Sequence, residues 1–374
     1  MWFRKALAGG LALALALSVC APGSASKIRL KNEPDRSVAA VDAASDPPYV
    51  KGESPTTGLP VREGVFLPVL VSIDQQGGRR IGAKRWGAQA KTYAIWGAQY
   101  ADIVYESAAL HLKSGYATRL TFVISDALLN GQEVNVGPMR SVRPCHVTLR
   151  EEWQGLLAYA GGMRRADLPE ARRLDAIDNE TAFDFIRRRS DWAWRVKDIK
   201  APANINVDVT AVRAMAEPGA RSSARPFLFD VDPVADSLPK ATKIALDWGN
   251  KTFQSSFQYD AQSGRYLRFL GKEPALSCKT PTDGEGEQMA FENVIIQRVR
   301  YEPKDSMMPF PSMTSVGLGN ADIFIEGKYV AGAWVRTGED ARTIFLDAQG
   351  REIRLKRGKT YIAHFPVECE LTLE

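Results

Sequence analysis

Apolar residues follow three rhythms along the chain. From Ala6 to Val19 they run almost unbroken through small and aliphatic side chains. From Phe66 they come in short bursts: Leu67–Ile73, which ends at Asp74, then Ala101–Glu106 and Thr118–Ile124. These bursts are rich in β-branched and aromatic residues and predict buried strands. Leu149–Leu157 predicts a helix that gives way to a strand over 156–160, ahead of Gly161-Gly162. Asp178 predicts a capped helix through Arg188, with Ala182, Phe185 and Ile186 on one face.

Beyond Pro239 the rhythm shortens. Ile244–Trp248, Thr252–Tyr259, Arg265–Leu270, Asn293–Tyr301, Ala321–Ile325, Tyr329–Val335 and Thr343–Leu346 are strand-length runs separated by turn residues such as Gly249-Asn250-Lys251 and Glu326-Gly327-Lys328. Regular short strands with polar turns predict an antiparallel, mainly β unit. The expected fold class is α+β: an N-terminal mixed α/β domain over 63–225, then a mainly antiparallel β C-terminal domain over 240–374. A chain of 374 residues accommodates two such domains.

The opening run changes the functional picture. Arg4 and Lys5 precede it and the small residues Ala21–Ser26 follow it, the pattern of a secretory signal peptide over 1–25. The run is shorter than the ~20 residues of a membrane span. An exported, cell-envelope protein is expected, which argues against nucleic-acid enzymes and nucleotide-driven machines. Leu17-Ser18-Val19-Cys20 approximates a lipobox with Cys20 as the lipidated residue, although Val19 is bulkier than the usual residue there. Cleavage after Ala25 or Ser26, releasing a periplasmic or secreted protein, is the alternative. Residues 26–62 mix charge with Pro, Ser, Gly and Ala and predict a flexible tether.

Charge adds a modest asymmetry. Residues 63–225 carry 23 basic and 18 acidic side chains, and residues 226–374 carry 18 and 21. A basic first half suits an anionic envelope polymer, an anionic glycan or lipid head groups, while a solvated, ion-paired surface explains the same numbers. Of the cysteines after the leader, Cys278 and Cys369 share the second half and are the expected disulfide pair, which leaves Cys145 as a buried thiol. No C-x-x-C occurs and only three histidines are present, so neither a metal site nor any cofactor is predicted.

The densest polar constellation lies in the first half. Asp102 and Glu106 flank one predicted strand, Arg119 lies on the next, and Gly137-Pro138-Met139-Arg140-Ser141-Val142-Arg143 follows. Were that segment to open a helix, Arg140 and Arg143 would share a face. Paired arginines hold phosphate or carboxylate through bidentate hydrogen bonds. One expectation is therefore a ligand-binding anion site of Glu106, Arg119, Arg140 and Arg143; the other is a buried ion-pair network. Asp102 and Glu106 are also candidates for the acid/base pair of a glycan hydrolase, and His146 is a weaker candidate base. Trp192 and Trp194, interleaved with Arg195, suit sugar stacking or a plain loop anchor.

Ala101–Glu106, Thr118-Arg119 and Gly137–Arg143 resemble the YerB-like family of bacterial lipoproteins. So do Phe291–Gln297, Gly317–Ala321, Gly327-Lys328 leading to Gly332-Ala333-Trp334, Gly350–Ile353, Gly358-Lys359-Thr360 and Pro366. The family pairs an N- and a C-terminal domain of unknown function (DUF3048). The resemblance implies an envelope location, favours Cys20 as lipidated and favours Glu106, Arg119, Arg140 and Arg143 as a genuine site. Two departures stand out: Gln75 where such proteins usually carry asparagine, and Ala203 where they usually carry histidine. The missing histidine favours binding over catalysis. The leading expectation is a non-catalytic binding module for an anionic envelope ligand or a partner protein. A cell-wall or glycan hydrolase and a scaffold for other envelope enzymes are the alternatives.

Overall fold

The computed structural model describes residues 27–36, 47–75, 95–163, 168–187, 191–197, 199, 201–231, 234–281, 286–302 and 310–374. The leader, Cys20 and residues 37–46 of the expected tether lie outside them.

Ten strands form the central sheet: β1 (Val69–Ile73), β2 (Ile103–Leu112), β3 (Gly115–Ile124), β4 (Leu156–Tyr159), β5 (Ala182–Asp184), β6 (Asn293–Val299), β7 (Gly317–Ile325), β8 (Lys328–Arg336), β9 (Ile344–Leu346) and β10 (Thr360–Pro366). Their order is β9-β8-β7-β6-β10-β2-β3-β1-β4-β5. Five come from each half of the sequence, and the halves join where β10 pairs in parallel with β2, Thr360 opposite Ile103 through His364 opposite Ser107. At this seam β2, β6 and β10 are buried on both faces, which explains their unbroken apolar runs.

One face of the sheet packs on a second, seven-stranded sheet. Phe257 of that sheet makes edge contacts with Tyr361 and Phe291, and Trp248 with Phe365. Each such ring removes large apolar areas from water, worth ~1.5–3 kcal/mol apiece. The other face carries α1 (Pro144–Trp153), which reaches across the seam. Its Trp153 indole donates to the Tyr105 hydroxyl at 3.0 Å, and its Glu152 accepts from the Thr343 backbone at 2.9 Å and pairs with Arg336 of β8 at 3.4 Å.

The strands of the second half agree with the sequence pattern, but the first half is less helical than a mixed α/β domain. With 43% strand and 11% helix, the protein is a β-rich two-domain structure. In place of the helix expected over 178–188, the described residues form β5, whose Ala182 and Phe183 pair in parallel with β4; a helix, α2, lies ahead of it at Pro169–Ala176.

The described parts of the expected tether are built into the body. Ile28–Leu30 pairs with Glu370–Leu373. Arg36 donates to Asp322 at 2.7 Å and to the Ala321 carbonyl at 2.8 Å. Ser54, Thr56 and Thr57 are buried, and the strap they form touches both halves: Thr57 donates to Asp126 at 2.5 Å and its carbonyl accepts from Gly358 at 2.8 Å. Gly58 lies so close to Phe229 that a Cβ there would overlap the ring. Small polar residues looked unable to fill a core, yet here they satisfy buried carboxylates instead.

Candidate functional site

Strand alternation divides the predicted constellation. Successive residues of β2 point to opposite faces. Glu106 faces the seven-stranded sheet, whereas Ser107, with Arg119 opposite it in register, faces α1.

On the first face Glu106 is fully buried and surrounded. Its Oε1 accepts from the Gln75 amide at 2.9 Å and from the Thr118 hydroxyl at 2.7 Å; its Oε2 accepts a short bond from the Tyr361 hydroxyl. Arg268 lies 3.9 Å from Oε2, and donates to Gln75 Oε1 and to the Ser255 hydroxyl at 3.0 Å. Gln75 therefore bridges acid and base, donating to one and accepting from the other. The Glu106 part of the predicted site is a buried network that locks the two sheets together.

On the other face the arginines gather around the start of α1. The segment 137–142 is extended rather than helical, held by Arg140 N–H to Ser72 (2.8 Å), Val142 N–H to Gly161 (2.9 Å) and Met139 N–H to Ile205 (2.8 Å). The helix begins only at Pro144, so the expected shared helical face for Arg140 and Arg143 does not form. Pro144 suits that first turn because it has no N–H to satisfy.

Arg140 donates to Asp74 at 2.9 Å. Arg119 is buried and donates to the Ser141 carbonyl. Arg143 is buried, donates to the Val142 carbonyl at 2.7 Å, stacks 4.3 Å over the Phe310 ring and leaves its Nε without a partner among the described residues. Burial pushes the Arg119 guanidinium down to about 9, aided by the charge of Arg143 and opposed by Asp74. Burial pushes Arg143 down to about 10, with Arg140 adding repulsion. Both remain protonated at neutral pH, and among the described residues Asp74 is the carboxylate paired with this cluster.

The catalytic candidates fare differently. Asp102 is buried and accepts from Ser125 N–H (2.8 Å), Ser125 Oγ (2.7 Å), Thr56 Oγ1 (3.0 Å) and Asp126 N–H (3.2 Å). Burial and the neighbouring Asp126 raise it to about 8. Its partners are not those of Glu106, so the two carboxylates share no pocket and the hydrolase pairing is not assembled. His146 Nδ1 accepts the Arg143 N–H at 2.9 Å, and burial pushes the imidazole down to about 3. It helps cap α1. Cys278 sits in a small apolar cluster with Trp96, Val196 and Ile199, while Cys369 belongs to the main core; no disulfide joins them. Trp192 is buried against Phe183 and Phe185, and Trp194 is exposed.

Sequence reasoning missed Arg268, Tyr361, Thr118 and Asp74 as partners, and the bridging role of Gln75. Arg268 had one signal. Within Arg265–Leu270 it alternates in phase with Tyr266 and Leu270, which places a guanidinium on the buried face.

Comparison with known proteins agrees with this architecture. Residues 88–221 match the family described as "Protein of unknown function (DUF3048) N-terminal domain", and residues 244–362 match its C-terminal domain. No curated protein matches the chain. The crystal structure of YerB from Bacillus subtilis is similar in fold, with a TM-score of 0.66 at 18% identity over 85% of this chain and 99% of that one. With both domains present in order, the chain belongs to the DUF3048 family.

Proposed function

We propose that this is an exported cell-envelope protein, lipid-anchored at Cys20, that binds an anionic ligand through Arg119, Arg140 and Arg143 without turning it over. The observation that carries this is the gathering of three guanidinium groups around the start of α1, two of them buried and repelling one another, with Asp74 the described carboxylate paired to one. An anion relieves that repulsion, and planar guanidinium donors match the oxygens of phosphate or carboxylate. The positive end of the α1 dipole adds to the preference. Support for a binding role comes from the fate of the acid/base candidates: Glu106, Asp102 and His146 are each engaged in buried hydrogen bonds. Arg4 and Lys5 ahead of the apolar run, and Cys20 at its end, support export and anchoring.

Calorimetric titration with inorganic phosphate and with a soluble glycerol-phosphate polymer tests the site. Arg140, the most accessible of the three, is the variant of choice: Arg140→Ala should weaken binding by about tenfold, a charge-assisted bond being worth ~1.5–3 kcal/mol. Equal affinity in the variant, or no binding by the wild type, sinks the proposal.

A further inference from the structure

We infer that the outer face of the seven-stranded sheet, around Lys27, Arg29, Lys243 and Lys272, rests against the head groups of an anionic bilayer. The inference rests on the reading of Cys20 as the anchored residue and adds which surface meets the membrane.

Reach is the first reason. The body begins at Ile28, which pairs with Leu373, and residues 33–36 are tied down through Asn320 and Asp322. No slack is left after Lys27. Seven Cα–Cα steps separate Cys20 from Lys27, and at ~3.3–3.6 Å each they span at most about 25 Å whatever their conformation. A lipid on Cys20 therefore holds the sheet edge close to the bilayer rather than away from it.

Charge and shape are the second reason. The register aligns Arg29, Thr372, Ala245, Ser256 and Phe269 in one row across the outer face. Beside this row lies a hollow of about 370 Å³ whose lining includes Lys27, Lys243, Lys272 and Glu374. Lys27 and Lys243 share Glu374 at 3.6 and 3.1 Å, and Arg29 lies 3.6 Å from Glu370. Exposed pairs of this kind hold their partners weakly. Around the hollow three lysines stand against Glu374, a local positive surplus over the apolar floor of Ala245 and Phe269, while farther along the same face Asp247 and Asp260 stand beside Glu370 and Arg265. Lipid phosphates complement that surplus, and the attraction acts only within about a Debye length, ~8–10 Å, of the surface. The reach from Cys20, at most about 25 Å, lets the face settle within that range.

The test uses the full chain recovered from membranes and reconstituted into phosphatidylcholine vesicles with or without phosphatidylglycerol. A fluorophore on Gln258→Cys, inside the hollow, reports proximity to head-group quenchers; the same label on Glu133→Cys, in the N-terminal half, is the comparison. Quenching at 258 should exceed that at 133 by about fivefold with phosphatidylglycerol, and should fall in high salt and on combined reversal of Lys27, Arg29, Lys243 and Lys272 to Glu. Because the salt arm uses otherwise wild-type protein, it stands even where the reversal variant fails to fold. Equal quenching at the two positions, or quenching indifferent to salt, overturns the inference. The mass of the mature N-terminus separates the two levels: an unlipidated Cys20 overturns the anchoring and this inference with it, whereas a lipidated Cys20 without quenching overturns the surface alone.

Discussion

The Arg268 guanidinium lies 3.9 Å from the Glu106 carboxylate, and the two side chains come from different sheets. Both are buried, so their attraction acts where water cannot screen it, and removing one partner strands the other. Arg268→Met should destabilise the protein by about 3 kcal/mol, within the ~3–5 kcal/mol typical of a broken buried pair. Glu106→Gln should cost a similar amount. The double variant should cost less than the sum, because neither stranded charge remains. Urea unfolding of the four proteins in a double-mutant cycle checks this; strict additivity would show that the pair is uncoupled.

Stability should pass through a maximum near neutral pH. Asp102 is raised in the folded protein to about 8 by burial and Asp126. A raised carboxyl favours the protonated fold, so its contribution is complete below its unfolded value of ~3.9 and is lost as pH rises through about 8. His146 and His364 are lowered by burial to about 3 and about 4. Their contribution is complete above ~6.5 and is lost as pH falls through those values. Asp102→Asn should flatten the alkaline limb of a stability–pH curve and leave the acid limb in place.

Arg36 should matter far more than its place in a loop-like segment implies. It donates to Asp322, the Ala321 carbonyl and the Gly332 carbonyl, and its own N–H is held by Asn320. Arg36→Ala should cost about 2–3 kcal/mol, since Asp322 keeps Arg298 and Tyr329 as partners. Hydrogen exchange should accelerate first over Ile28–Leu30 and the strand it pairs with. Unchanged exchange there would show that residues 27–36 are not held by this side chain.

Thiol chemistry should be nearly silent in the native state. Burial pushes Cys145 and Cys369 up to about 12, so little thiolate is present at pH 8. Iodoacetamide should leave both unmodified until denaturant is added, and a reducing agent should leave the melting temperature unchanged. Rapid native alkylation of Cys145 would contradict its placement under the sheet.

The strands were legible because their signal is local. Arg265–Leu270 alternates within six residues, and β6 carries its apolar run in one piece. The start of α1 was also marked, by Pro144, although the helix was expected only from Leu149. The strap over residues 51–60 was illegible because Ser54, Thr56 and Thr57 earn their burial from Asp126 and Asp102, 46–72 positions away. Of the predicted site, Arg140 and Arg143 were grouped because they are neighbours in sequence, and both stand near the start of α1. Glu106 was grouped with them in error. It stands one residue from Ser107, which shares a face with Arg119, and a single step along a strand reverses the side a residue faces.

The placement of β10 between β6 and β2 has a topological consequence. Ser107 and His364 meet at 2.8 Å across that junction although 257 positions separate them. Neither half of the chain can complete its sheet alone: an isolated first half would present the long hydrogen-bonding edge of β2, and an isolated second half the edge of β10. Such edges invite association with other chains, so the two halves close their shared sheet only together, once β10 has joined β2.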